Sequence, residues 1–468
     1  MAPTRTLNVN LILAIFATGL MSFAGVVVET AMNITFPVLM KQFAITTGTV
    51  QWLTTGYLLI VATFVPISAF LKQRFKTRQL FLTANLLFLS GLLLDSVAPT
   101  FSLLLVGRLI QGVGTGIALP LMFNIILEQA PLDKIGLLMG IGTLVTAVAP
   151  ALGPTYGGLI VSNLQWRDIF IFLIPILLLS LLLGLTAIKQ VSPTKNVRLD
   201  TVSWLLIALA FISLILGISQ LTLITIKPWF TITGLVVGSL AIIGFFRHVQ
   251  RVNQPLINVA VFKQPVFNWH LLGFFLLQAT SLGLSFLLPN FLQLVNDKTA
   301  LVAGLIVLPG AAIGALFAPL SGSILDHFGP RFPILTGALL QLIAVAGLAI
   351  TTMSLTANHL LLWYLIFMFG TGLAFGNIMT TGISALSASQ QSDGNAIYNT
   401  VQQFAGAVGT AIASAIVALT QASHQASFTY RTQLGTHRAF IVLSGILFIN
   451  FIVLAVGLHL NQQQRTKR

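Results

Sequence analysis

The chain has 468 residues, of which 56% are hydrophobic and only 7% are Asp, Glu, Lys or Arg. A soluble domain carries roughly 25% charged residues, so this composition excludes a soluble enzyme, a secreted globular domain and a disordered chain. It indicates a polytopic membrane protein. The net charge of +14 would suggest a nucleic-acid partner in a soluble protein, but here the basic residues lie in short loops between apolar runs.

Fourteen apolar runs are long enough to cross a membrane as helices, each of which needs roughly 20 residues. The first run contains Glu29 and Asn33 and is too long for a cleaved signal peptide, so we expect it to remain as the first helix. In chain order the runs cover residues 11–37, 49–71, 79–98, 101–127, 135–161, 169–188, 203–221, 229–246, 268–295, 300–325, 332–355, 359–386, 397–420 and 439–460.

An even number of spans places both termini on the same side of the membrane. Most of the 23 Lys and Arg residues fall in loops on that side. Because cytoplasmic loops are enriched in Lys and Arg, we expect a multi-pass protein of the cell membrane with both termini in the cytoplasm. We expect it to be a monomer that contacts membrane lipids and no nucleic acid. Cysteine is absent and the seven histidines are dispersed, so we expect neither a metal site nor a cofactor.

Two segments recur at nearly one spacing, which indicates an internal repeat. Pro, Ser, Phe and Arg of the loop at residues 66–78 recur in register at residues 319–331, and Gly114-Thr-Gly-Ile-Ala118 is echoed by Gly370-Thr-Gly-Leu-Ala374. The alternative is chance similarity of Gly- and Ala-rich sequence. A duplicated six-helix unit predicts an N-terminal bundle at 1–190, two linker helices at 191–262 and a C-terminal bundle at 263–468.

Five short segments carry recognisable motifs. They are Gly153-Pro-Thr-Tyr-Gly-Gly158, Gly107-Arg-Leu-Ile-Gln-Gly-Val-Gly114, Glu29-Thr-Ala-Met-Asn-Ile-Thr-Phe-Pro37, Gln51-Trp-Leu-Thr-Thr-Gly-Tyr57 and Leu325-Asp-His-Phe-Gly-Pro-Arg331. Together they resemble the major facilitator superfamily, and within it the fourteen-span drug:proton antiporter branch. The resemblance covers nearly the whole chain. It implies an all-α integral membrane fold of two six-helix bundles with two extra central helices.

The resemblance also implies roles for particular residues. Gly153, Pro154, Gly157 and Gly158 match the antiporter motif in full. The cytoplasmic loops imply gating residues, and the first copy departs from the family pattern, with Gln73 in place of Asp and Lys76 in place of Gly. The gating residues are Arg74, Arg78, Asp326, Gly329 and Arg331.

Glu29 and Arg108 are the ionisable residues that we place deep inside spans, with Glu29 as the one deep acid. A charge at membrane depth costs roughly 2.5–3.5 kcal/mol on the mildest scale, so it needs a compensating role. Glu29 can carry a proton or balance a cationic substrate, and the resemblance implies proton coupling for Arg108. The alternative for each is a structural hydrogen-bonding role. Gly25, Glu29 and Asn33 follow at i, i+4 and i+8 and share one helix face.

Polar and aromatic residues inside the spans are candidates for a substrate site. Each of them could instead join neighbouring helices. We select Glu29, Asn33, Trp52, Tyr57, Gln278 and Asn377.

These observations predict a proton-coupled secondary transporter that exports lipophilic, cationic drugs by alternating access. The partners are thus a small-molecule substrate and protons. No nucleotide-binding Gly-x-x-x-x-Gly-Lys-Ser/Thr loop occurs, and we expect no enzymatic activity. The main alternative is an exporter of a specific physiological metabolite or lipid-like solute. A membrane-embedded enzyme would need a catalytic pair that the sequence does not offer, and the repeat and the membrane Glu oppose a passive channel.

Overall fold

The computed structural model describes residues 8–131, 134–223, 228–252, 255–387, 390–423 and 426–466, and these residues form helices without any strand. Long apolar runs become helices because a helix satisfies its own backbone hydrogen bonds where no water can do so. In chain order the long helices are α1 Val9–Phe43, α2 Thr47–Arg74, α3 Thr77–Ser96, α4 Phe101–Gln129, α5 Ile135–Asn163, α6 Asp168–Ala187, α7 Thr201–Ser219, α8 Pro228–Val249, α9 Pro265–Leu294, α10 Ala300–Phe328, α11 Arg331–Thr351, α12 Ala357–Ser384, α13 Gln391–Gln421 and α14 Phe428–Thr466.

Within the described residues, thirteen helices are long and apolar enough to cross a membrane, namely all of these except α5. Helix α5 has 29 residues and packs against α1 and α10. The all-α membrane fold is therefore confirmed, while the number of fourteen spans stays a prediction. Pro66 lies in a short 3₁₀ segment, Val65–Ile67, that interrupts α2, because proline cannot donate the helical hydrogen bond.

The first six and the last six helices pack in the same pattern. Helix α1 contacts α4, α5 and α6, and α9 contacts α12, α13 and α14. Likewise α4 packs on α2 and α3, and α12 packs on α10 and α11. Helix n of the first bundle thus has the same neighbours as helix n+8 of the second, as a duplicated unit requires.

The echoed glycines show the same correspondence at the level of single residues. A Cβ on Gly114 would lie 2.7 Å from a backbone oxygen of α3, and one on Gly370 would lie 2.6 Å from a backbone oxygen of α11. Gly116 and Gly372 instead meet α2 and α10. Each pair therefore allows the same two neighbours to approach closely. The domain limits at 190/191 and 262/263 stay predictions.

The hairpin of α7 and α8 lies against both bundles. The Trp204 indole N–H donates to the Thr63 carbonyl of α2 at 3.0 Å, and the Phe211 ring stacks on Phe404 of α13 with centroids 4.1 Å apart. The bundles themselves meet where α5 packs on α10, α2 on α13 and α1 on α9. The extra helices therefore cover the seam between α2 and α13.

Candidate functional site

Arg108 lies fully buried in the first bundle. Its Nη1 donates to the Gln111 Oε1 at 2.6 Å, its Nε donates to the Leu53 carbonyl at 3.3 Å, and its guanidinium carbon lies 4.2 Å from the centroid of the Tyr57 ring. These contacts satisfy Nε and Nη1 and place the cation over an aromatic face, while Nη2 has no hydrogen-bond partner among the described residues. They do not supply a negative charge.

A carboxylate lies on the other side of the Gln111 amide, at Asp95. It has no solvent exposure, and its Oδ2 accepts a hydrogen bond from the Gln111 Nε2 at 2.7 Å. Asp95 is thus a second buried acid, at the end of α3, which the sequence did not single out beside Glu29. Asp95 lies near the end of its apolar run, where an acid normally reaches the membrane interface, and its distance from the run's centre gave no sign of burial.

Glu29 lies in α1 with 9% of its surface exposed. Among the described residues its carboxylate has no hydrogen-bond or ion-pair partner, and it does not pair directly with Arg108, although their charges interact. One turn earlier, the Gly25 carbonyl lies 3.0 Å from the Tyr57 hydroxyl, which in turn lies 2.8 Å from the Thr115 hydroxyl. The structure thus brings Glu29, Tyr57 and Arg108 into one region.

Asn33, a further turn along α1, connects the two bundles. Its Oδ1 accepts from the Thr54 hydroxyl at 2.8 Å, and its Nδ2 donates to the Ser285 hydroxyl of α9 at 3.3 Å. Asn33 is fully buried. One turn beyond Glu29, its side chain therefore joins α1 to α2 of the same bundle and to α9 of the other bundle.

The remaining predicted substrate residues lie at different places. Trp52 is partly buried against the same apolar cluster as Tyr57. Gln278 is partly buried on α9, one turn from Phe275 and one turn from Leu282, which pack on that cluster. Asn377 donates to backbone carbonyls of Ser321 and Leu373. Asn377 therefore joins α12 to α10 and is not brought to Glu29.

The glycines of the antiporter motif face two different helices. A Cβ on Gly153 would lie 1.9 Å from the Thr30 hydroxyl of α1, and one on Gly157 would lie 2.7 Å from the Ala31 carbonyl. A Cβ on Gly158 would instead lie 2.4 Å from the Ala300 carbonyl of α10. The motif, with Pro154 inside it, therefore sets the approach of α5 both to the helix that carries Glu29 and to the opposite bundle.

The predicted gating residues lie at the ends of α2, α3, α10 and α11, where Gly329 is partly exposed and the other four are exposed. In the described part of the chain no ion pair joins the two loop copies. Arg74 hydrogen-bonds the Asn196 side chain, and the Gln73 carbonyl accepts from the Lys195 N–H at 2.8 Å. Within the described chain, Arg78, Asp326 and Arg331 form no ion pair. Gly329 ends α10 with φ of +71°, a value that glycine adopts readily.

The segment between α6 and α7 therefore binds the first loop at Gln73, the position where the family pattern has Asp. The sequence did not single out Lys195 or Asn196, because this segment lacks periodicity.

The two halves are joined on the side where α1 ends, which we call the distal side. Among the hydrogen bonds that cross there, the Gln293 Nε2 donates to the Ile34 carbonyl at 2.9 Å, the Leu301 N–H donates to the Ser162 hydroxyl at 2.9 Å, and the Thr47 hydroxyl donates to the Gln421 Oε1 at 2.7 Å. Along α13, residues 405–411 are buried while residues 401–404, nearer the other side, are partly exposed. The distal side is thus closed.

The chain that carries this site is similar in sequence to known transport proteins. Residues 11–410 match the family described as Major Facilitator Superfamily. The chain is 36% identical over 402 residues to the lincomycin resistance protein LmrB of Listeria monocytogenes, covering 86% of this chain and 85% of that protein. It is 35% identical over 395 residues to the uncharacterized MFS-type transporter YhcA of Bacillus subtilis, covering 84% of this chain and 74% of that protein.

A solved structure shares the fold at low sequence identity. It is that of a bacterial homolog of the human lysosomal transporter Spinster, in an inward-facing and unoccupied conformation. The TM-score is 0.72 at 14% identity, and the match covers 97% of this chain and 98% of that one. The two chains therefore have the same overall architecture.

Proposed function

Because the chain belongs to the Major Facilitator Superfamily and is a multi-pass membrane transporter, we propose that it exports lipophilic, cationic compounds in exchange for protons. The observation that carries this proposal is Glu29, a buried carboxyl group without a hydrogen-bond partner among the described residues, beside a site closed on one side. Support for drug export comes from the relative named as a lincomycin resistance protein.

The chemistry of exchange follows from one carboxyl group. Protonated Glu29 is neutral and is stable in a desolvated site, whereas ionised Glu29 there gains a large free energy from a cation nearby. A cationic substrate and a proton therefore compete for the same group. Binding of the substrate releases the proton, and protonation releases the substrate, which gives obligatory exchange.

Alternating access supplies the direction of transport. In the state described here the distal side is closed, so the substrate reaches Glu29 from the side of the termini, which we place in the cytoplasm. Rocking of residues 1–190 against 263–468 then exposes Glu29 distally, where an acidic exterior protonates it. In this proposal Tyr57 and Trp52 offer the apolar surface, Asn33 and Gln278 the polar contacts, and a single chain carries out the cycle.

The test uses purified protein in liposomes with a fluorescent lipophilic cation and an imposed pH jump. We expect the wild-type protein to move the cation against the proton gradient and Glu29→Gln to abolish this movement while the protein remains folded. Glu128→Gln is the matched control, because Glu128 is the other Glu of the chain and pairs with Lys72 at the end of α4. Wild-type rates in Glu29→Gln would refute the proposal.

The class of substrate needs a separate measurement. Thermal unfolding of the detergent-solubilised protein should shift upward with lipophilic cations and with lincomycin, because a ligand that binds the folded state stabilises it. Stabilisation by a physiological metabolite alone would instead favour the alternative exporter.

A further inference from the structure

We propose that Asp95 is the permanent counter-ion of Arg108, acting through the Gln111 side chain, and that it is a positioning residue which leaves Glu29 free to exchange its proton. The consequence for proton exchange at Glu29 rests on the proposed function, whereas the contacts among Arg108, Gln111 and Asp95 do not depend on it. Asp95 belongs to no motif that the sequence offered.

The first step is the continuous hydrogen-bond chain. Arg108 donates to the amide oxygen of Gln111 at 2.6 Å, and the amide nitrogen of Gln111 donates to Asp95 at 2.7 Å. The amide dipole is thus aligned between cation and anion, and each bond polarises the other. A neutral partner at either end would remove that mutual strengthening.

The second step is the protonation state of Asp95. Its Oδ2 acts as an acceptor, and its Oδ1 has no hydrogen-bond partner among the described residues. In the ionised form the group balances the charge of the fully buried guanidinium, which a protonated Asp95 would leave uncompensated. An uncompensated buried charge costs several kcal/mol, so the pair is more stable than either ion alone.

The third step is the close contact that buries Asp95. A Cβ on Gly107 would lie 1.9 Å from the Asp95 Oδ1, and a Cβ on Gly91 would lie 2.7 Å from the Gly107 carbonyl. Helices α3 and α4 therefore approach closely at this turn because glycines stand there, and the approach encloses the carboxylate. An acid exposed at the membrane interface would be solvated by water and would not be covered by a neighbouring helix.

The consequence concerns Glu29. If Asp95 neutralises Arg108 throughout the cycle, Glu29 is the one uncompensated acid of the cluster and exchanges a single proton. Without the Asp95 charge, Arg108 would hold Glu29 in its ionised form, and protonation would require a more acidic solution.

The test is an infrared titration of the solubilised protein, in which the protonated carboxyl band is followed against pH. We expect Glu29→Gln to remove the titrating band and Asp95→Asn to keep it with its midpoint lowered by about one pH unit or more. Asp297→Asn is the matched control, because Asp297 is exposed with φ of +51°, which Asn tolerates, and should leave the midpoint unchanged.

A charge-relocation variant keeps the proposal testable if Asp95→Asn folds poorly. In Asp95→Asn combined with Gln111→Glu, the carboxylate moves to the group that already contacts Arg108, so the midpoint should return to the wild-type value. Three results would overturn the inference. They are an unchanged titration midpoint in Asp95→Asn, loss of the titrating band in Asp95→Asn, and a midpoint in the double variant that stays away from the wild-type value. Normal titration without cation exchange by the wild-type protein would instead refute the proposed function alone.

Discussion

The Asn290 side chain donates a hydrogen bond to the backbone carbonyl of Asn33 at 3.3 Å. In an unbroken helix this carbonyl would accept from residue 37, but Pro37 has no N–H. Gln293 donates to the neighbouring Ile34 carbonyl. The Asn290 side chain of the second bundle therefore satisfies the carbonyl that the proline leaves without a helical donor, and Gln293 adds a second bond across the interface. Both bonds stabilise the distally closed state.

Removal of both amides should open the distal side. Each hydrogen bond contributes about 1 kcal/mol, so Asn290→Ala with Gln293→Ala should shift the equilibrium about 30-fold toward the open state. Spin labels on cysteines introduced at the exposed Leu164 and Lys298 would report the distance across the gap, and the chain has no other cysteine.

Asn399→Ala serves as the control, because among the described residues the Asn399 amide donates hydrogen bonds to Asn395 of its own helix. An unaltered distance distribution in the double variant would show that these amides do not hold the closed state.

Gly158→Ala should prevent distal closure. The added methyl would meet the Ala300 backbone carbonyl at 2.4 Å, and backbone cannot move aside as a flexible side chain can. We expect the protein to fold, the distal spin-label distance to lengthen and transport to fall at least tenfold. Gly322→Ala introduces the same methyl where nothing lies within 4 Å, and equal transport by both variants would contradict the expectation.

Arg108→Ala should destabilise the first bundle by about 3–5 kcal/mol, because it leaves the Asp95 carboxylate buried without its cation. Adding Asp95→Asn should then restore part of that stability, although each change alone is unfavourable. The measurement is a double-mutant cycle on thermal unfolding in detergent. Strict additivity of the two changes would show that the residues do not interact.

Asp200 caps the start of α7 and makes the hairpin sensitive to acid. Burial raises the pKa of Asp200, but hydrogen bonds from Ser203 and His248 outweigh it and hold the pKa below the ordinary value of 3.8. Stability from this group is therefore present above pH 3.8 and is lost as the pH falls further.

Protection of the first α7 amides from hydrogen exchange, relative to their intrinsic exchange rate at each pH, should fall below pH 3.8 and be low at all pH values in Asp200→Ala, which removes a cap contributing about 1 kcal/mol. Asp168→Ala, at the start of α6, is the control and should leave α7 unchanged. Slow exchange of α7 in Asp200→Ala would refute the capping role.

Much of the fold could be predicted because the membrane permits few solutions. Apolar runs must become helices, and the duplicated loop and the Gly114–Gly370 echo were enough to indicate the repeat, which the shared neighbours in the structure bear out. The path of the segment around Lys195 could not be predicted, because it depends on individual hydrogen bonds to α2 and not on any periodic pattern.

The site was predictable only along a single helix. The i, i+4 spacing of Gly25, Glu29 and Asn33 placed them on one face, and the structure shows Gly25 at Tyr57 and Asn33 at the contact with α9. Asp95 escaped prediction because its burial arises between two helices, at Gly107. Spacing within α3 contains no information about that contact.

The neutral Arg108–Asp95 pair also bears on the driving force. In the proposed exchange, with the charges of this pair cancelled, the cluster trades one proton for one monovalent cation, and the translocation moves no net charge. Membrane voltage, which contributes roughly 2.3 kcal/mol per charge for every 100 mV, would then do no work on such cargo. A potassium diffusion potential should leave the efflux of monocations unchanged and should alter it for cargo of any other charge, such as uncharged molecules.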